Sequence, residues 1–163
     1  MISRIRTLLV DDAAPLRRLL SLMLERNGAF AVVGEAGNGE EGIALADQLH
    51  PDLVLLDLSM PVMDGLEALP RIKTASGHGV VVVLSGFETN RMADQAKALG
   101  AAGYVEKGLP PSETVARILA AFQHAPASLL GTLGSGGLDS AGPVQGALKA
   151  RRGGAGAFPL NAA

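Results

Sequence analysis

The sequence predicts an α/β fold, a doubly wound five-stranded parallel sheet of (βα)5 form. Three observations predict it. Short apolar runs alternate five times with segments of helical period. The runs are rich in Val, Leu and Ile, as strands buried on both faces require. The intervals between them are long enough for crossover helices, which places helices on both faces of the sheet.

The first run, Ile5 to Val10, is stopped by Asp11 and Asp12. Leu16, Leu19, Leu20, Met23 and Leu24 then recur at helical spacing, with Arg17, Arg18, Glu25 and Arg26 mostly opposite, and Asn27-Gly28 ends the helix. Phe30 to Ala36 reads as a strand, Gly37-Asn38-Gly39 as a turn and Glu40 to Leu49 as a helix. After Pro51, Leu53 to Leu56 forms a buried strand, followed by a helix from Leu66 to Lys73 and a Gly77-His78-Gly79 turn. Val80 to Leu84 is the most continuous β-branched run. Glu88 to Leu99 reads as a helix with Met92, Ala96 and Leu99 on one face, and Ala102 to Val105 as a short fifth strand. Pro110 and Pro111 open a last helix lined by Val115, Ile118, Leu119 and Phe122.

This pattern assigns residues 1–124 to one domain. Residues 125–163 hold nine Gly, nine Ala and three Pro, and no sustained apolar period. Such a segment buries too little to offset its ordering entropy, so a disordered tail is expected, the alternative being a segment that folds against a partner.

Composition narrows the function. With no cysteine, disulfides, thiolate metal sites and cysteine nucleophiles are excluded. The apolar stretch near the N-terminus is too short for a signal-peptide core, and no segment approaches the roughly 18 apolar residues of a membrane span. A soluble, cytoplasmic chain with no membrane association is expected. Residues 1–124 carry 11 Lys/Arg against 15 Asp/Glu, while the tail carries Lys149, Arg151 and Arg152 against Asp139. The body has no basic character to recommend it for nucleic acid.

Ligands of open parallel sheets bind beyond the carboxyl ends of the strands. Strand 1 delivers Asp11 and Asp12 there, strand 3 delivers Asp57, strand 4 delivers Ser85, and strand 5 leads to Lys107. Strand 2 ends in Glu35-Ala36-Gly37 and adds nothing obvious. Singly, each residue has an ordinary explanation: Asp12 could cap the first helix, and Lys107 could be a surface lysine. Jointly they do not, because capping needs no such convergence. Two like charges about 4 Å apart repel by roughly 4 kcal/mol at an effective dielectric of 20. Three converging carboxylates must protonate, splay apart or hold a cation. An all-oxygen set favours Mg²⁺, which is completed by waters and a phosphate, and Lys and Ser suit the same phosphate. The chemistry this suits is phosphoryl transfer onto a carboxylate.

Four stretches, LLVDD at 8–12, DLSMPVMDG at 57–65, VVVLSG at 81–86 and GYVEKG at 103–108, give residues 4–123 a resemblance to the receiver domain of bacterial two-component response regulators. The resemblance implies a CheY-like, flavodoxin-like fold with strand order 2-1-3-4-5. It implies that Asp57 accepts a phosphoryl group from a histidine kinase. It also implies Mg²⁺ bound by Asp57, Asp12, the Ser59 carbonyl and, partly through water, Asp11. Lys107 would pair with the acid and its phosphate. Ser85 would move to the phosphoryl oxygen and draw Tyr104 inward, coupling the site to the face of helix 4, strand 5 and helix 5. Self-phosphorylation and self-dephosphorylation would be its only chemistry, so no enzyme activity on an external substrate is expected.

Two departures stand out. Gly108 stands where the family usually has proline after the lysine, often through a cis peptide. Phe87 and Ser59 stand at positions that in the family flank the path of the hydrolytic water, so bulky Phe87 is expected to slow phosphoryl loss, whereas Gly86 would leave the phosphate approach open.

Other readings fit less well. Haloacid-dehalogenase-like phosphatases place an aspartate two residues after the nucleophile, where Ser59 stands here. A dinucleotide or flavin module is disfavoured because Gly37-Asn38-Gly39 lacks the third loop glycine. His50, His78 and His124 lack ligand spacing. A scaffold without phosphorylation would not need all of Asp11, Asp12, Asp57, Ser85 and Lys107. Residues 34–69 look most like receivers joined to helix-turn-helix output domains, yet the tail cannot supply one. A single-domain regulator is therefore expected, without direct DNA binding. It would act through a protein partner, self-association, onward phosphotransfer in a phosphorelay, or a separate transcriptional output.

Overall fold

The computed structural model describes residues 3–86 and 90–126. The elements run β1 (Ile5–Val10), α1 (Ala14–Asn27), β2 (Phe30–Ala36), α2 (Gly39–Leu49), β3 (Leu53–Asp57), α3 (Gly65–Ser76), β4 (Val80–Ser85), α4 (Asn90–Ala98), β5 (Gly103–Glu106) and α5 (Pro111–Gln123). All neighbouring strands pair in parallel, in the order β2-β1-β3-β4-β5. The expected fold class and strand order both hold.

Alternation along the strands sorts the core into two layers. Leu8, Val10, Val54, Leu56, Val81 and Val83 face one cluster, which α2, α3 and α4 cover through Ala46, Ile72 and Ala96. Leu9, Leu53, Leu55, Val80, Val82 and Leu84 face the other, covered by Leu24 of α1 and Ile118 of α5. β3 and β4 are buried at every position, which is why they read as unbroken apolar runs.

Most boundaries fall where the sequence places them, and the differences have local causes. α1 ends at Gly28, whose φ of 83° is a left-handed cap that glycine adopts freely. α3 continues past Lys73 to Ser76 before Gly77, at φ 73°, stops it. The expected start of the fourth helix at Glu88 lies outside the described residues, and Leu99, expected on its apolar face, is 40% exposed beyond the helix end. Ala125, counted with the tail in the sequence, is buried in the α1–α5 cluster. From residue 127 onward the expected tail lies outside the described residues.

The β3–α3 connection is the tightest part of the frame. The Gly65 amide donates to the Leu58 carbonyl at 2.9 Å, folding the chain back across the end of β3. A side chain at Gly65 would press into the Asp57 main chain and come within 2.7 Å of Leu58 Cα. Asp64 caps α3 by accepting from the Glu67 amide at 2.9 Å. We expect Gly65→Ala to cost about 3 kcal/mol, because both contacts are backbone and neither can swing away. Urea unfolding of the variant beside wild type measures it, and a loss below about 1 kcal/mol would show that the turn yields.

Candidate functional site

Strand parity decides which side chains meet. Leu9, Leu55 and Val105 all point into the α1–α5 layer, so Asp57 at the end of β3, and Asp11 and Lys107 just past the ends of β1 and β5, each two residues further along the chain, leave on that same side. Val83 points to the other layer, as do Ser85 two residues on and half-buried Tyr104, which packs against that cluster beside Met92. Val83 pairs with Tyr104 and Ser85 with Glu106, so Ser85 and Tyr104 are diagonal neighbours on one face. The predicted residues therefore form two adjoining groups, an acidic group with its lysine and a hydroxyl group beneath it.

Asp11 and Asp57 are 3% and 4% exposed and Ser85 is 1% exposed, whereas Asp12 is exposed. One carboxylate oxygen from each of Asp11, Asp12 and Asp57 lies within 4.8 Å of the others. Lys107 Nζ sits between two of these acids, 2.6 Å from Asp11 Oδ2 and 3.1 Å from Asp57 Oδ1. Its main-chain amide donates to the Ser85 carbonyl at 2.8 Å, tying the end of β5 to that of β4. The Ser59 amide donates to Asp57 Oδ1 at 3.2 Å.

Burial pushes the Asp57 carboxyl up from its ordinary value; the Lys107 charge opposes that, and the Asp11 charge adds to it. Burial also disfavours the Lys107 charge, but its hydrogen bond to Asp11 and the charges of both acids prevail, and its pKa is raised. The lysine is thus held as a cation between two carboxylates. The donor set suits a hard divalent ion: three carboxylates from three chain positions, all oxygen, close enough to share one centre.

Asp12 does not cap α1. The N-cap is Ala13, without a side-chain cap, and its amide donates instead to Asp11 Oδ1 at 2.8 Å. Gly108 has a φ of 93° with open space around its Cα, and no peptide bond among the described residues is cis. Proline, fixed near −65°, could not take that angle, so the β5–α5 entry differs from one built on proline. Phe87 lies outside the described residues, while Gly86 is described and exposed. Neither His50, at the α2 C-cap, nor His124, whose ring meets the Ala120 carbonyl, belongs to the site. Sequence reading missed Arg17, whose Nη1 donates to the Asp11 carbonyl and whose Nε donates to Glu35 Oε2 at 3.1 Å. Its only signal was a cation one helical turn beyond the acidic pair.

Lys107→Met should cost about 2 kcal/mol at neutral pH, since it strips the cation from two buried acids. The Asp57 carboxyl then moves further above its unfolded value. Its penalty is absent below the unfolded pKa and grows as pH rises through the folded one. Urea unfolding at pH 4 and pH 7 should show the larger deficit at pH 7, and equal deficits would contradict this electrostatic account.

Known proteins resemble this chain in sequence and in fold. The nitrate/nitrite response regulator protein NarL of Escherichia coli K12 is 44% identical over 108 residues, covering 65% of this chain and 49% of that protein. A protein-glutamate methylesterase/protein-glutamine glutaminase of Halalkalibacterium halodurans is 39% identical over 112 residues, 68% of this chain and 32% of that protein. The chain thus spans half or less of the length of these curated relatives. A solved two-component response regulator of the LuxR family from Aurantimonas sp. SI85-9A1 superposes with a TM-score of 0.70 at 32% identity, covering 77% of this chain and 92% of that one. No helix among the described residues is long and apolar enough to cross a membrane. The family model of the response regulator receiver domain matches residues 7–119, and the chain belongs to that family of two-component signalling domains.

Proposed function

We propose that this receiver accepts a phosphoryl group on Asp57 from the phosphohistidine of a histidine kinase in the cytoplasm. The observation that carries the reading is the buried Asp57 carboxylate facing Lys107 at 3.1 Å within a three-aspartate cluster. An Asp57 oxygen attacks phosphorus, the phosphorus–nitrogen bond of the donor breaks, and the imidazole leaves with the bonding pair and takes up a proton. Lys107 offsets the charge gathered on the phosphoryl oxygens, and Ser85 donates its hydroxyl to one of them. Receivers bind Mg²⁺ at an acidic pocket; here Asp12, Asp57, the Ser59 carbonyl and, partly through water, Asp11 would hold it. Bound there, Mg²⁺ supplies charge neutralisation and orientation for the incoming phosphate.

The signal leaves through the other face of the sheet. Ser85 moving toward the phosphate opens space above Tyr104, its diagonal neighbour, and Tyr104 turns inward. Tyr104 packs in the same cluster as Met92 of α4, which supports output through α4, β5 and α5 to a protein partner or a second copy. The methylesterase relative shows that receivers also occur within enzymes. For this chain we assign only the chemistry of gaining and losing its own phosphate.

Incubation with acetyl phosphate should add one phosphoryl group by intact mass, only with Mg²⁺ present and not in Asp57→Asn. Absence of the adduct under conditions that label a known receiver would overturn the reading. Once labelled, Phe87→Ala should lose phosphate several-fold faster than wild type if the ring restricts the hydrolytic water. An unchanged decay rate would remove Phe87 from the account.

A further inference from the structure

We infer that Arg17 is a positioning residue for the cation site, and that strand β2 contributes to that site through it. The inference rests on the Mg²⁺-binding role proposed for Asp11, Asp12 and Asp57. Arg17 Nη1 donates to the carbonyl of Asp11, which belongs to the peptide joining Asp11 to Asp12. A peptide is planar, so holding its oxygen fixes the direction in which the chain carries Asp12. The Asp12 carboxylate itself is exposed and makes no hydrogen bond among the described residues, so its direction is set by its two flanking peptides, one held by Arg17 and the other by the Ala13 amide on Asp11 Oδ1. Asp11, by contrast, is tied at its amide to the Ala36 carbonyl at 3.0 Å and at its carboxylate to the Ala13 amide and Lys107.

The arginine is itself fixed. Its side chain is 17% exposed, and its Nε donates to Glu35 Oε2 at 3.1 Å. Glu35 is the penultimate residue of β2, paired with Leu9 in the sheet. The planar guanidinium thus joins α1, the β1–α1 loop and β2 through donors set at fixed angles, which a flexible ammonium cannot reproduce. Placing a cation this close to a cation-binding cluster is unfavourable by charge alone. A role as simple charge and a role in positioning therefore predict opposite signs when it is removed.

The test titrates Mn²⁺, read by electron paramagnetic resonance without phosphodonor, into wild type, Arg17→Met, Arg17→Lys, Glu35→Gln and the Arg17→Met/Glu35→Gln double variant. Amide exchange of Ala13 is followed in the metal-free proteins. Positioning predicts Mn²⁺ affinity lower by about tenfold in both Arg17 variants. It also predicts a double variant no weaker than Arg17→Met, and faster Ala13 exchange. Unchanged or tighter binding in Arg17→Met, or wild-type affinity in Arg17→Lys, overturns it. Should Arg17→Met fail to fold, Glu35→Gln decides: faster Ala13 exchange supports the inference and unchanged exchange overturns it. Because these readouts need no phosphate, failure of wild type to be labelled by acetyl phosphate would sink the proposed function separately.

Discussion

A single lysine holds the end of this sheet together. Lys107 bridges Asp11 and Asp57, two carboxylates that are each almost fully buried. Without a cation they would repel one another in a region where water cannot screen them well. The lysine reaches them because its own amide is anchored to the Ser85 carbonyl, so the pairing of β5 with β4 decides where the charge sits. Four strand ends, those of β1, β3, β4 and β5, are thereby joined by two ion pairs and one backbone hydrogen bond. A phosphate or divalent cation bound as proposed would compete for the same partners.

The frame that presents these groups follows from parity. Each strand sends alternate residues into opposite layers, and every layer is closed by helices, so register is fixed by the need to keep Leu and Val out of water. Once the register is set, Asp11, Asp57 and Lys107 have to emerge toward the α1–α5 side and Ser85 and Tyr104 toward the other. A one-residue slip in β5 would bury Glu106 in place of Val105 and turn Lys107 away from both acids. Core packing and site geometry are therefore enforced by the same interactions.

The two loops that flank the acids solve different problems. After β3 the chain must reverse within a few residues without moving Asp57, and Gly65 allows the close backbone approach that makes this possible. The same turn holds Val62 at φ 72°, an uncomfortable angle for a β-branched residue that the surrounding turn imposes. After β1 the chain enters α1 without a side-chain cap; Asp11 Oδ1 accepts from the Ala13 amide, Arg17 donates to the Asp11 carbonyl, and the Leu16 amide turns back to the Ala13 carbonyl.

Periodicity and composition alone determined the five strands, the five helices, the doubly wound class and the strand ends at which Asp11, Asp12, Asp57, Ser85 and Lys107 would be found. These are local signals, carried by apolar spacing and by glycines and prolines at turns, and the hydrophobic effect acts on them directly. The strand order came from resemblance to receivers, because periodicity is silent on which strands lie side by side. Only the tertiary structure decided that Lys107 contacts Asp11 more closely than Asp57, that Asp12 is exposed rather than a cap, and that Gly108 adopts a left-handed angle. It also decided that β2, silent in the sequence, reaches the site through Glu35 and Arg17. These contacts join residues far apart in the chain, and their distances depend on how twisted strands and packed helices bring side chains together. No local pattern encodes that.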